Sequence, residues 1–182
     1  YSSDRTVEIA RASGARVMKN RFEDYGQQKN FALAQAGCDW VLNLDADERV
    51  PPELKRAITA LKAGGPPANA AAFAIKRKTF YLGRWIRHSG WYPDRKVRLF
   101  SKSAAAWQGR IHERLVVSGA VARLDGDILH FTYRDIGDHL RRLDRYSAFQ
   151  AEEILGQGKK CLFLRLVILP PVTFLRHYAW KL

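Results

Sequence analysis

Leu54, Ala57, Ile58 and Leu61 recur at i, i+3, i+4 and i+7 between Pro51-Pro52 and the breaker run Gly64-Gly65-Pro66-Pro67. That spacing predicts an amphipathic helix with a proline-tolerant first turn and a sharp stop. Ile136, Leu140, Leu143 and Tyr146, at i, i+4, i+7 and i+10, predict a second one. Ser2, Ser3, Asp4 and Thr6 ahead of Val7, Ile9 and Ala10 predict a short helix ended by Gly14, and 27–36 a helix closed by Gly37. Strands are expected at 15–19, at 40–44 as a buried strand, and at 71–79 and 96–100, with shorter pieces at 115–117, 121–124 and 128–133. The connection over 80–94 is long, aromatic and basic. Helices alternate with strands until about residue 134, which predicts an α/β fold with a mixed, mostly parallel sheet flanked by helices and followed by a helical tail. The expected division is a catalytic domain over 1–134 and a C-terminal helical, amphipathic segment over 135–182.

At 182 residues, with 47% hydrophobic and 27% charged residues, the chain has the makings of one folded domain and not of a disordered one. A formal net charge of +13 calls for an anionic partner: nucleic acid, anionic lipid or a phosphorylated substrate. Cys38 and Cys161 are too few and too far apart for a disulfide framework or a zinc cluster, so a reducing compartment is expected. No charged-then-apolar leader opens the chain, and its first residue is Tyr1, as in a processed or truncated product.

Asp45-Ala46-Asp47 follows directly on the apolar 40–44 strand, and in open α/β sheets ligands bind outside the carboxyl ends of strands. Two carboxylates at i and i+2 have the oxygen chemistry for one hard cation whose shell is completed by water and diphosphate oxygens. An acidic turn capping the Pro51 helix accounts for the same residues. Strand-borne Asp-x-Asp also opens aspartyl-phosphate phosphohydrolases, but their motif continues to Thr or Val where this chain has Arg49. In the 76–98 region Lys76, Arg77, Lys78, Arg84, Arg87, Arg95, Lys96 and Arg98 are interleaved with Phe80, Tyr81, Trp85, Trp91 and Tyr92. Such a surface suits a phosphorylated saccharide through stacking and charge-assisted hydrogen bonds. It equally suits a single-stranded nucleic acid, and a basic nucleic-acid- or membrane-binding module without catalysis stands as the alternative reading.

Three segments carry a family resemblance: Ser3 to Ala10 (SDRTVEIA), Gln28 to Ala32 (QKNFA) and Trp40 to Arg49 (WVLNLDADER). Together they resemble the family 2 glycosyltransferases. Tyr92 to Phe100, Trp107 to Glu113 (WQGRIHE) and His130 to Tyr133 (HFTY) look like the lipopolysaccharide-core subgroup of that family. The resemblance implies a GT-A fold, a nucleotide-diphosphate sugar donor with a UDP-sugar favoured, a Mg²⁺ or Mn²⁺ ion, and inversion at the anomeric carbon. It makes Asp47 the direct metal ligand, with Asp45 nearer the donor ribose or a metal-bound water. Glu113 becomes the base for the acceptor hydroxyl, with Asp94 competing for that role, and His112 orients Glu113 or touches the donor. His130 is expected near the metal or diphosphate. Lys29 and Asn30 are expected on a helix face near the donor, and Asp4 and Thr6 at the pocket's edge, where helix capping is their simplest role. Family members carry a strand-helix-strand unit of roughly 30 residues or more ahead of the 3–10 segment. The expectation is therefore a fragment lacking that unit and ending before its relatives do.

The acceptor implied is a saccharide hydroxyl on a lipid-linked, lipopolysaccharide-core-like molecule, with no nucleic acid among the partners. Residues 161–180 are the most apolar stretch, yet Arg165 and Arg176 leave only 166–175 uncharged and Pro170-Pro171 interrupts it. A bilayer crossing needs about 20 apolar residues. Edged by Lys159, Lys160 and Lys181 as well, the segment suits an anionic membrane surface, giving a peripheral protein on the cytoplasmic face of the plasma membrane. Packing of the tail on its own domain or on a second copy is the alternative.

Overall fold

The computed structural model describes residues 3–109, 113–156 and 164–180. Within them are helices α1 (Thr6–Ala12), α2 (Tyr25–Ala34), α3 (Pro52–Gly64), α4 (Ile136–Gly156) and α5 (Leu169–Trp180). The strands are β1 (Trp40–Leu42), β2 (Glu48–Arg49), β3 (Ala70–Tyr81), β4 (Arg84–Trp85), β5 (Asp94–Ser101), β6 (Ala105–Gln108), β7 (Arg114–Val117) and β8 (Ala120–His130). The six-stranded sheet runs β1-β5-β3-β8-β2 with β4 paired to β3, and β6 and β7 form a separate ribbon. This is a mixed α/β arrangement flanked by helices, with a helical C-terminal segment. β1 with β5, β2 with β8, β3 with β4, and β6 with β7 are antiparallel pairs. Antiparallel pairs, local and long-range, thus carry more of the architecture than the helix-strand alternation predicts.

Two compact units share the chain: 1–43, 67–73 and 97–122 in the first, 44–66, 74–96 and 123–182 in the second. In the first, Asp24 has extended backbone and its Oδ1 accepts from the Gln27 amide at 2.7 Å, so α2 starts two residues earlier than expected. Leu33 of α2 packs with Ala72 and Phe100, and Val41, Val97, Ala105, Leu115 and Val117 surround them. β1 ends at Leu42 and its residues are half-buried, not buried; Leu44 is exposed. Residues 15–19 form no strand. A strand exists only through a ladder with a neighbour, and Arg16 instead binds the Gln35 carbonyl through its guanidinium, beside a cleft of about 330 Å³ shared with Met18 and Phe31.

In the second unit Leu54, Ile75 and Ile128 are fully buried. The pieces expected at 121–124 and 128–133 join into one strand, β8, which ends at His130 and so leaves 131–133 outside it; Gly126, within the strand, takes φ +115°. An added Cβ there would meet Leu54 of α3 at 3.1 to 3.2 Å, so the helix seats against bare backbone. Leu82 (φ 46°) and Gly83 (φ 79°) make the two-residue turn between β3 and β4, a hairpin inside the expected 80–94 loop.

Ile136, Leu140, Leu143 and Tyr146 of α4 are exposed. The helix is anchored on another side. His139 Nδ1 lies 2.7 Å from the Tyr81 hydroxyl, its ring stacks on Tyr133 at 4.2 Å, and Arg142 covers the Tyr133 ring. A π-helical turn, Leu164–Ile168, leads directly into α5, and Pro170-Pro171 lie at this junction without ending the helix. Among the described residues no helix is long and apolar enough to cross a membrane.

Candidate active site

The acidic loop of the second unit is built by β2 and β8. Their register sets Glu48 opposite His130, and the Phe131 amide donates to the Asp47 carbonyl at 2.9 Å. Within the loop the Asp45 amide donates to Glu48 Oε2 at 3.1 Å, and the Glu48 amide returns a bond to the Asp45 carbonyl at 3.0 Å. Asp47 Oδ2 and His130 Nε2 are consequently 3.3 Å apart, while the Thr79 hydroxyl lies 3.3 Å from His130 Nδ1. A hydroxyl both donates and accepts, so it serves either tautomer of the ring. Burial lowers the His130 pKa, the Arg77 charge adds to that, and Asp47 and Glu48 oppose it. The net effect favours the neutral imidazole, the form that ligates metals.

Behind the loop the Glu48 side chain is 0% exposed and its Oε1 is 3.5 Å from Arg77 Nη1. Arg77 also donates to Asp94 Oδ2 from Nε (3.0 Å) and Nη2 (2.7 Å), and Lys96 Nζ is 3.2 Å from Asp94 Oδ1. Asp94, the competing base, is thus engaged on both oxygens by cations. Glu48 and Thr79 were not among the expected site residues, and Arg77, expected on a basic substrate surface, is instead turned to Asp94 and Glu48. A signal existed in β3: Ile75 and Thr79 are buried, so Arg77 sits at an inward position of a period-two strand and needs a buried anion.

Two protein ligands on one Mg²⁺ or Mn²⁺ ion at about 2.1 Å from each would be roughly 3 Å apart. The Asp47–His130 spacing of 3.3 Å fits that with little movement. No cluster of three or more His, Cys, Asp or Glu poised for a metal is found among the described residues.

The first unit holds a second group. Lys29 Nζ is 2.8 Å from Glu113 Oε1, with the two side chains 21% and 17% exposed, and it lies 4.3 Å from the centre of the Trp107 ring. Asn30 clamps the Trp107 backbone, donating from Nδ2 to its carbonyl at 2.8 Å and accepting its amide on Oδ1 at 2.9 Å. Gly26, one turn earlier on α2, leaves room for the Gly109 carbonyl that any Cβ would displace. Asp4 Oδ1 accepts from the Thr6 amide at 3.1 Å at the start of α1, and hydrogen bonding to Thr6 lowers the Asp4 pKa. Its observed role is this local turn. His112 lies outside the described residues.

The structure therefore brings together Asp47 with His130, and Lys29 with Glu113. Asn30 it commits to Trp107. For Asp45 it defines the backbone bonds that shape the loop.

Known proteins resemble the chain over most of its length. The model of glycosyl transferase family 2 matches residues 1–114. The lipopolysaccharide core biosynthesis glycosyltransferase LpsC of Rhizobium meliloti is 28% identical over 166 residues, covering 90% of this chain and 61% of that protein. Uncharacterized glycosyltransferases of Rickettsia typhi and Rickettsia prowazekii are 31% and 30% identical over 175 residues, covering 91% of this chain and 60% of theirs. The chain spans about 60% of the length of these relatives.

Proposed function

Because the chain belongs to glycosyl transferase family 2, we propose that it is an inverting transferase moving a sugar from a nucleoside-diphosphate donor, a UDP-sugar by preference, to a hydroxyl of a lipid-linked saccharide. The name of the Rhizobium meliloti relative points to lipopolysaccharide core as the acceptor. The observation that carries the reading is the Asp47–His130 pair at the end of β8, on a loop whose geometry is held by Glu48.

Asp47 and His130, with Asp45 beside them, would hold Mg²⁺ or Mn²⁺. Such an ion, when bound, neutralises the charge that develops on the departing diphosphate. Thr79 holds the His130 ring through Nδ1 and so fixes the direction of Nε2. Glu113 takes the proton of the acceptor hydroxyl as its oxygen attacks the anomeric carbon opposite the diphosphate. The new carbon–oxygen bond forms while the bond to the diphosphate breaks, which inverts the centre. Trp91 and the exposed Arg84, Arg87 and Arg95 are the acceptor surface; Arg98 is buried and Arg77 is held by Asp94 and Glu48, so neither belongs to it. The 135–182 segment, with the exposed Leu140 and Leu143 of α4 and Phe174 and Leu175 of α5, attaches to an anionic membrane at its cytoplasmic face.

Calorimetric titration of UDP and UDP-glucose with and without Mn²⁺ tests the reading in the natural protein. Asp47→Ala is expected to abolish Mn²⁺-dependent binding and lower transfer by at least about 10²-fold. Undiminished Mn²⁺-dependent binding and turnover in that variant refute it.

A further inference from the structure

We propose that Lys29 is a positioning residue for the Glu113 carboxylate, and that the face of α2 it occupies registers the segment that activates the acceptor instead of binding the donor. The inference rests on the reading of Glu113 as the proton acceptor.

Gly26, Lys29, Asn30 and Leu33 stand at i, i+3, i+4 and i+7 and so share one face of α2. Each makes a different contact with one region of the first unit. Leu33 anchors the helix in the core beside Phe100, and Gly26 admits the Gly109 backbone at close range. Asn30 presents its amide edge-on to Trp107, as a neighbouring strand would, and both bonds are made. With Trp107 registered this way, its ring and Glu113 bracket one lysine: the ammonium is 4.3 Å from the ring centre and 2.8 Å from Oε1.

A lysine side chain loses much rotamer freedom when held, and a single exposed ion pair does not offset that loss. Here the ammonium has an aromatic face on one side and a carboxylate on the other, and both charged side chains are about four-fifths buried. Such a pair is little screened by solvent and acts as a constraint on geometry. The ammonium donates and cannot accept, so it fixes where the carboxylate points without competing for the acceptor's proton. In the step it supports, the acceptor O–H bond breaks, the proton goes to Glu113, and the oxygen's electron pair forms the bond to the anomeric carbon. Lys29 keeps its proton throughout. Asn30 and Lys29 are turned towards Trp107 and Glu113, and this accounts for both without a donor contact.

The test compares Lys29→Met, Lys29→Gln, Lys29→Arg and Glu113→Gln in the natural protein, with Mn²⁺-dependent UDP affinity by calorimetry and transfer from UDP-glucose to a deacylated core oligosaccharide. Displacement of a reacting group by about 1 Å costs on the order of 10²-fold. Lys29→Met and Lys29→Gln are therefore expected to lower kcat by about that factor, with UDP affinity unchanged and with Lys29→Arg recovering most of the rate. Having two neutral variants guards against one failing to fold, and each is assayed well below its own thermal midpoint, where it is fully folded. Normal kcat in either folded neutral variant while Glu113→Gln is inactive overturns this inference alone. Tenfold weaker UDP binding in both also overturns it, returning Lys29 to the donor. Normal turnover in Glu113→Gln removes the base assignment itself.

Discussion

Glu113 in the first unit and Asp47 in the second are both loop carboxylates beside the end of a strand, yet what holds them differs. Among the described residues Glu113 pairs with Lys29, and Trp107 before it is clamped through its backbone by a neutral amide. The Asp47 loop rests on a fully buried carboxylate, Glu48, whose cation Arg77 is shared with Asp94. Neutral clamps cost little desolvation, whereas a buried charge is tolerable only while its partners stay in place. The second unit should therefore break more sharply than the first when one partner is removed.

Arg77→Met puts that difference to its hardest test. Taking away one partner of a buried ion pair costs about 3 kcal/mol, because the other charge is left in a poor solvent. Urea unfolding should show a loss of that size, and Glu48→Gln in the same chain should recover much of it, since a neutral amide needs no counter-charge. A loss below about 1 kcal/mol, the range of solvated pairs, would show that Glu48 does not depend on Arg77 and would remove the contrast.

Gly26→Ala probes the first unit. Alanine improves helix propensity by about 1 kcal/mol. The Gly109 carbonyl occupies the space of the new methyl group, however, and overpacking costs typically 1–3 kcal/mol. We expect net destabilisation of about 1 kcal/mol and a fall in transfer rate larger than the stability loss explains, because the displaced backbone lies between Trp107 and Glu113. Stabilisation by the full propensity gain would mean that α2 and Gly109 separate readily.

Much of this was legible in the residues, and the failures have a common cause. α3 was readable because its spacing and its proline and glycine ends agree, and β3 and β5 from their apolar cores. The Asp-x-Asp motif and His130 were readable as candidates from residue type and position. What local sequence cannot show is the partner. Residues 15–19 have strand-like composition but no ladder. Ile136, Leu140 and Leu143 have helical periodicity, which says nothing of what covers them, and they are exposed. Arg77 meets Glu48 across 29 residues of sequence, so only the inward register of β3 hinted at it. Gly126, left between two expected strand pieces, continues one strand, with Leu54 of α3 packed where a Cβ would stand.

The smallest expected effect bears on whether α2 is a rigid platform at all. Asp24 accepts the Gln27 amide at 2.7 Å, one residue ahead of the turn that carries Gly26 and two turns ahead of the core contact at Leu33. Removing an N-cap carboxylate costs about 1 kcal/mol, and Asn in its place keeps most of the bond. Asp24→Ala should therefore lower stability by about that amount and Asp24→Asn by a few tenths. Hydrogen exchange at the Gln27 and Gln28 amides should quicken in the alanine variant while α3, in the other unit, is unaffected. If the first turn exchanges no faster, the cap is redundant and the contacts of Gly26, Lys29 and Asn30 hold the helix by themselves. The neutral clamp would then be a stronger fastening than its bond count implies, and the difference between the two loops correspondingly narrower.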